Sequence, residues 1–551
     1  MAGSSGTRLI DMAGLMGSAV FWAFTVVYMA VVLFLGYLGY KRTKASEDFM
    51  LAGRKIHPWV IGISYGATFI STSAIVGFGG TAAVYGTGLI WLAFLNIAVG
   101  VLLAFIVFGK PTRALGEKLR AATFPDLLGK RFNSSFMQYS AAILILLIMP
   151  MYAAAVMIGG SRFMEAALGI DYTLALTVFV IFTSAYVIFG GLKAVMYTDA
   201  MQGVIMVMGM AILLLLTFSL LGGPTQAFND LAALPSEMPS EMIDGLVSKG
   251  FTGWLSMPEV GSEFWLVLIT TIIMGVGLGV LAQPQLVVRF MTADDNKALN
   301  RAIPLGGLFI LITTGVAYTV GPLTNLYFWN TQGKTALAAM PNANSDLIIP
   351  TFINEAMPEL FVVVFMLVLL SAAMSTLSAI LHTMGTTAGF DLWRHFQRWR
   401  TGSKKLSSPS LRANRVGTLF MLIVSFGFAL LMDESIIMRA TAMFMGLCAA
   451  AFMPAFVHAL FSKRISTKAA KASLVVGALA WFGWTAFVHI KESSVLGISQ
   501  FLFGRPALLG MPWQVVDPLI IALPLSILAL VVVWYADGES RLAKTKDAEP
   551  A

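Results

Sequence analysis

The chain is poor in chemistry-bearing residues. It has one cysteine, Cys448, and five histidines among 551 residues, and only 12% of the residues are charged. A single cysteine excludes any disulfide within the chain. So few His and Cys leave no ligand spacing of the zinc or iron–sulfur kind. No paired carboxylates and no nucleophile–base arrangement stand at the ends of the apolar runs, so no common enzyme design is present. A soluble protein of this length would carry about twice the charge. Hydrocarbon takes its place: 58% of the residues are hydrophobic and the mean hydropathy is +0.82. Since only helices and closed barrels satisfy their backbone in lipid, and the apolar runs are helix-length, this is an all-α polytopic membrane protein.

Thirteen apolar segments are long enough to cross a bilayer. They lie near 18–40, 58–84, 88–109, 138–168, 172–190, 195–222, 264–288, 303–329, 358–386, 414–432, 436–461, 471–490 and 516–536. The net charge of +8 invites a nucleic-acid partner, but the basic residues sit in short loops between spans, which excludes that partner and suits anionic lipid headgroups. With the N-terminus outside, most of the 36 lysines and arginines fall in inside loops, Arg54, Arg120, Arg289 and Arg398 among them. The loop 223–263 carries six acidic residues against one basic residue, Lys249, and falls outside. The orientation is therefore N-terminus out and C-terminus in. The first apolar segment is too long for a cleavable signal core.

Polar residues interrupt some of these segments. After the charge-free run Leu360–Leu370 comes S-A-A-M-S-T-L-S, Ser371 to Ser378. At helical spacing Ala372, Ser375 and Thr376 share a face, where two hydroxyls and a carbonyl would suit a small hard cation. Serines and threonines that bond back to their own helix would look the same in sequence. The second segment carries Ser64, Thr68 and Ser71-Thr72-Ser73, then Gly77, Gly79 and Gly80; the seventh carries Gly275, Gly277, Gly279 and then Gln283-Pro284. Interrupted helices at matching places in two halves mark transporter binding sites. The two lie five spans apart, which predicts a five-plus-five inverted repeat. The expected units are 1–57 (an extra helix and inside loop), 58–222 (first repeat), 223–263 (outside loop), 264–461 (second repeat) and 462–551 (two further helices and a tail). Asp199 is a carboxylate inside an apolar helix, and such groups serve ion pathways or bond to a neighbouring helix.

Four motifs carry a family resemblance. They are Glu47-Asp48-Phe49-Met50-Leu51-Ala52-Gly53-Arg54; G-G-L-K-A-V-M-Y-T-D-A-M-Q-G from Gly190 to Gly203; Q-P-Q-L-V-V-R-F-M from Gln283 to Met291; and the serine-rich stretch at 371–378. In this order they resemble the sodium:solute symporters, nearest the bacterial branch of proline and pantothenate permeases. The resemblance implies an inverted repeat of the leucine-transporter type, with Na+ as coupling ion, a small-molecule substrate and a bacterial or archaeal cell membrane as location. By motif position, Ala67, Ile70 and Ala372 would offer carbonyls to sodium, and Ser375 and Thr376 their hydroxyls. A second sodium, bound by some members, would use Asp199, Ser375 and Ser378. Ala379 stands where those members have a further hydroxyl, which weakens that second site.

The substrate is expected between the two helix interruptions. Ser71, Thr72 and Ser73 bring hydroxyls and free amides suited to a carboxylate, and face Val276, Val280 and Pro284. The proline permease branch has aromatic residues at the first two of these positions. The valines point away from proline, to a small organic anion such as a monocarboxylate. The runner-up is a transporter-like solute sensor signalling through a partner protein, and a symporter of an amino acid or pantothenate is a further alternative. Arg439 reads as an interfacial or a salt-bridged arginine before one that attracts an anion, and His382 reads as a packing residue before a proton carrier.

Overall fold

The computed structural model describes residues 19–168, 170–402, 408–432 and 437–546. The chain ends whose sidedness the charge pattern predicts, and Lys404 and Lys405 of the basic loop, lie outside the described residues. Among the described residues there is no strand. Eleven helical runs are long and apolar enough to cross a membrane. Two of them are unusually long, Ser73–Lys118 with 46 residues and Tyr172–Leu220 with 49. Each changes direction at a glycine with positive φ: Gly86 (φ 78°, ψ −166°) and Gly191 (φ 60°, ψ −159°). Only glycine adopts such a backbone without strain.

The membrane helices are numbered here from the N-terminus. α1 is Ala19–Arg42, α2 Pro58–Phe69 and α3 Phe78–Tyr85, the last entered through a wide turn at Ser73–Gly77. α4 is Ile90–Ile97, α5 Ser135–Leu168 and α6 Tyr172–Leu220. α7 is the run Glu263–Ala282 and α8 is Pro284–Phe290. α9 is Asn296–Gln332, α10 Glu359–Thr386, α11 Leu411–Leu431 and α12 Ile437–Leu447. α13, Thr467–Phe487, and α14, Pro518–Lys546, pack chiefly on one another.

The centre of the molecule is α10. Almost nine-tenths of its most apolar window is buried (89%), against 22% for α1 and 17% for α14. A helix apolar all round belongs inside the bundle, and α10 packs on α2, α5, α6 and α11. Two breaks flank this centre. α2 begins at Pro58, whose missing amide costs nothing at a first helical position. It ends at Ile70, where the backbone turns extended (φ −89°, ψ 99°). Neither glycine nor proline sits at that break. Instead the Ser71 hydroxyl accepts from the Ser73 amide at 3.2 Å, a local bond that competes with helix. The second break lies at Gln283 (φ −69°, ψ 121°), where Pro284 follows and cannot continue the helix behind it.

Candidate functional site

A helix that stops inside a bundle strands its last carbonyls. At the end of α2 those of Ala67 and Thr68 are met from α10. Ser375 Oγ donates to Ala67 O at 2.8 Å and lies 3.2 Å from Ala372 O. Thr376 Oγ1 donates to Thr68 O at 3.2 Å. Ala67, Ala372, Ser375 and Thr376 are all buried. Four of the five residues expected at the sodium position are thus brought together. The fifth, Ile70, uses its amide on Gly66 O at 2.8 Å, and it is Thr68 whose carbonyl faces Thr376. The arrangement is a cluster of neutral oxygens on two helices. Each hydroxyl has lone pairs to turn toward a cation if its proton turns away, and hard neutral oxygens suit small hard cations.

Asp199, on α6, lies beside this cluster and is fully buried. Its Oδ1 accepts from Ser378 at 3.3 Å. Its Oδ2 accepts from Ser64 at 2.9 Å, from Thr68 Oγ1 at 3.2 Å, and from Arg289 Nη2 at 2.8 Å. Arg289 corrects an expectation. The charge pattern places it in an inside loop, yet it stands on α8 with 1% of its side chain exposed. Its Nε donates to Ser64 Oγ at 3.1 Å and its Nη1 to Gln285 O at 2.6 Å. A buried charge needs a partner and further hydrogen bonds, and Arg289 has both. The pair ties α6 to α8 across α2. Thr68 joins it to the oxygen cluster on α2 and α10, because one residue bonds Asp199 by its side chain and Thr376 by its carbonyl.

Ser71, Thr72 and Ser73 are buried at the first break, and Val276, Val280 and Pro284 at and beside the second. Ser73 Oγ pairs with Thr441 Oγ1 of α12 at 2.9 Å. Among the described residues, Thr72 Oγ1 has no hydrogen-bond partner, nor have Gln283 Nε2 and Gln285 Oε1 at the other break. Buried polar atoms are nearly always paired, so atoms left open at both breaks call for a water or a ligand. Tyr152 of α5 lies beside Ser71 and stacks on Phe444 of α12 at 5.6 Å. Sequence reasoning gave no site role to Thr68, Tyr152, Arg289 or Thr441, though Thr68 appears among the polar interruptions and Arg289 within a motif. A signal existed for Arg289 alone: it ends an otherwise uncharged stretch, Pro284 to Phe290, close behind a break. His382 is buried with its Nε2 2.8 Å from Phe49 O and its ring against the Phe49 ring, which suits packing. Of the readings for Arg439, the salt bridge is absent among the described residues; the side chain lines a cavity.

The fold and these paired breaks define a class: helical carriers that hold solute at the middle of the bilayer. The comparisons narrow the class. The model of the sodium:solute symporter family matches residues 49–477, and the chain belongs to that family. Its members are transporters and not enzymes, and sodium is the coupling ion. Relatives include the osmoregulated proline transporter of Bacillus subtilis, 27% identical over 86% of this chain and 90% of that one. The sodium/pantothenate symporter of Haemophilus influenzae is 28% identical over 87% and 95%. The sodium/proline symporter of Escherichia coli is 26% identical over 86% and 90%. Among solved structures, a Na+-coupled sialic acid symporter in a substrate-bound outward-open state shares the fold, with a TM-score of 0.70 and 18% identity over 94% of this chain and 98% of that one.

Proposed function

We propose that the protein imports a small carboxylate-bearing solute, a monocarboxylate by first choice, together with sodium. The observation that carries this reading is the meeting of Ser375 and Thr376 with the stranded carbonyls of Ala67 and Thr68. In this reading Ala67, Ile70, Ala372, Ser375 and Thr376 ligate one sodium ion. Asp199 lines the ion's exit with Ser378. Its charge is balanced by Arg289, and Ala379 adds no oxygen, so a second sodium has little to hold it. The solute lies between Ser71, Thr72 and Ser73 and the wall of Val276, Val280 and Pro284. The unpartnered atoms of Thr72, Gln283 and Gln285 supply its polar contacts. Proline and pantothenate, named for the relatives, both bear a carboxylate, which supports that class.

The same reading counts each long run as two crossings at Gly86 and Gly191, which makes thirteen. It divides 58–222 and 264–461 into inverted five-helix repeats of the leucine-transporter type. It sets the N-terminus outside and the C-terminus in the cytoplasm of a bacterial or archaeal cell. One sodium entering with the membrane potential supplies about 2.3 kcal/mol per 100 mV to the solute. The test is uptake into proteoliposomes, with and without an inward sodium gradient, of monocarboxylates, amino acids, pantothenate and sugars. Sodium-driven uptake of carboxylate-bearing compounds is expected. Sodium-driven uptake of sugars alone would overturn the solute class, and gradient-independent flux of every compound would overturn the coupling.

A further inference from the structure

On the face of the molecule that carries the loop 223–263 lies a cavity of about 670 Å³. Its wall comes from Thr81, Val84 and Tyr85 at the end of α3, Val267 and Ile272 on α7, and the loop Pro341–Leu347. Two cations complete it: Arg439 on α12 and Lys491 on the short helix Ile490–Leu496. The volume is that of a small-molecule site. Ile272 stands one helical turn from Val276, and Arg439 two residues from Thr441, the partner of Ser73. The cavity therefore adjoins the place proposed for the solute.

Among the described residues neither Arg439 nor Lys491 makes an ion pair or a hydrogen bond. Their acidic neighbours do not neutralise them by contact. Glu492, next to Lys491 in the chain, is taken by His489. Glu263 and Asp346 act on Lys491 and Arg439 only at longer range. Burial, and then the like charge of Arg439, holds the Lys491 ammonium below its ordinary value. Two half-buried cations on one wall repel each other, and an anion between them removes that cost. Asn342 and Asn344 line the same cavity.

We propose that Arg439 and Lys491 form an entry site that captures the carboxylate of the solute in this cavity before it passes to the central site. The proposal rests on the carboxylate reading of the solute given above. Asp346 opposes the site, since it lines the same cavity and its negative charge acts against any anion held there. The pair concentrates anions at the entrance and raises the rate of capture, which is what a charged, narrow vestibule does.

The test begins with a thiol placed in the cavity. Leu337 lines it, and the native Cys448 is buried, so Leu337→Cys gives one reactive position. The full-length carrier is treated with two methanethiosulfonates of similar size, one sulfonated and one a trimethylammonium. Relative to their rates with a free thiol, the anionic reagent is expected to gain about tenfold. Adding Arg439→Gln and Lys491→Gln abolishes the gain, and Asp346→Asn enlarges it. Equal relative rates in the unaltered cavity overturn the proposal, whatever the carrier moves. Sodium propionate, sodium pantothenate and proline are then added as protectants, with sodium chloride at matched ionic strength. Protection by a carboxylate beyond that of chloride is expected; equal protection assigns the site to small anions at large and overturns the carboxylate.

Transport supplies the second arm. The Arg439→Gln, Lys491→Gln pair is expected to raise KM for the best carboxylate of the uptake panel about tenfold, with the sodium half-saturation unchanged. A charge bias with an unaltered KM overturns capture and leaves the proposed function standing. A charge bias without sodium-driven uptake of any carboxylate overturns the proposed function and, with it, the solute named here.

Discussion

At the scale of single residues, the hydroxyls of Ser375 and Thr376 do two things. They satisfy carbonyls that the end of α2 strands, and they place oxygens where a cation can use them. Removing both in Ser375→Ala, Thr376→Ala is expected to raise the sodium half-saturation of uptake by roughly tenfold or more, while solute KM at saturating sodium moves less. An unchanged sodium dependence would remove the assigned ion site. Asp199 and Arg289 carry a different kind of expectation. Asp199→Asn leaves a buried guanidinium without its counter-charge, which costs about 3–5 kcal/mol. Asp199→Asn with Arg289→Gln removes both charges and is expected to be less destabilised than Asp199→Asn alone, as read by thermal unfolding in detergent. Asp199 was legible in the sequence because a carboxylate in a hydrocarbon helix must serve an ion pathway or bond to a neighbouring helix. Arg289 was not, because a charge at the end of an apolar run looks like the start of a loop. What buries it is a tertiary fact: Ser64 and Asp199 reach it from α2 and α6, which are far away in the chain.

At the scale of elements, the two breaks differ in how they are written. The break before Pro284 is explicit, since proline removes an amide and restricts the residue before it. The break at Ile70 is carried by hydroxyl residues that offer the backbone other bonds, a weaker signal that became readable beside its counterpart five spans on. The serine-rich interruption in α10, by contrast, does not break that helix at all: Glu359–Thr386 runs through it unbroken. Its hydroxyls reach neighbouring helices: Ser375 and Thr376 bond α2, Ser378 bonds Asp199 of α6, and Ser371 bonds Tyr28 of α1. The long run Tyr172–Leu220 shows the reverse case, a bend with one cause. Gly191 has φ 60° and ψ −159°, and a Cβ there would lie 2.7 Å from the Phe49 ring. Gly191→Ala is expected to cost about 1–3 kcal/mol from backbone strain, and more from the contact. Gly427, on α11 with open space around it, is the control: Gly427→Ala is expected to be neutral or slightly stabilising. Equal unfolding temperatures for the two variants would mean that the bend at Gly191 does not depend on glycine.

At the scale of the whole molecule, the polar groups around Asp199 form a connected set inside an apolar bundle. Thr68 links the cluster at Ser375 and Thr376 to the Asp199–Arg289 pair, and Arg289 stands on the helix that begins at the second break. The set therefore spans α2, α6, α8 and α10, helices that belong to both expected halves. The membrane class was legible in composition, and four of the five residues expected at the ion position, Ala67, Ala372, Ser375 and Thr376, stand together. The linkage was not legible, because hydrogen bonds between distant segments leave no periodicity in the chain. Linkage has a thermodynamic consequence. A cation that binds the folded arrangement and not the unfolded chain stabilises the fold by RT ln(1 + [L]/Kd), about 2.7 kcal/mol at a hundred times Kd. Sodium is therefore expected to raise the unfolding temperature of the purified carrier in a saturable way, and potassium at equal ionic strength to leave it unchanged. Ser375→Ala, Thr376→Ala should unfold at a temperature that no longer depends on sodium. Asp199→Asn, which disturbs the neighbouring pair but removes none of the expected sodium oxygens, should keep a sodium-dependent rise from a lower starting temperature. If Asp199→Asn abolished the rise as fully as the loss of both hydroxyls, the ion would be held by the carboxylate, and the neutral-oxygen site would have to be given up.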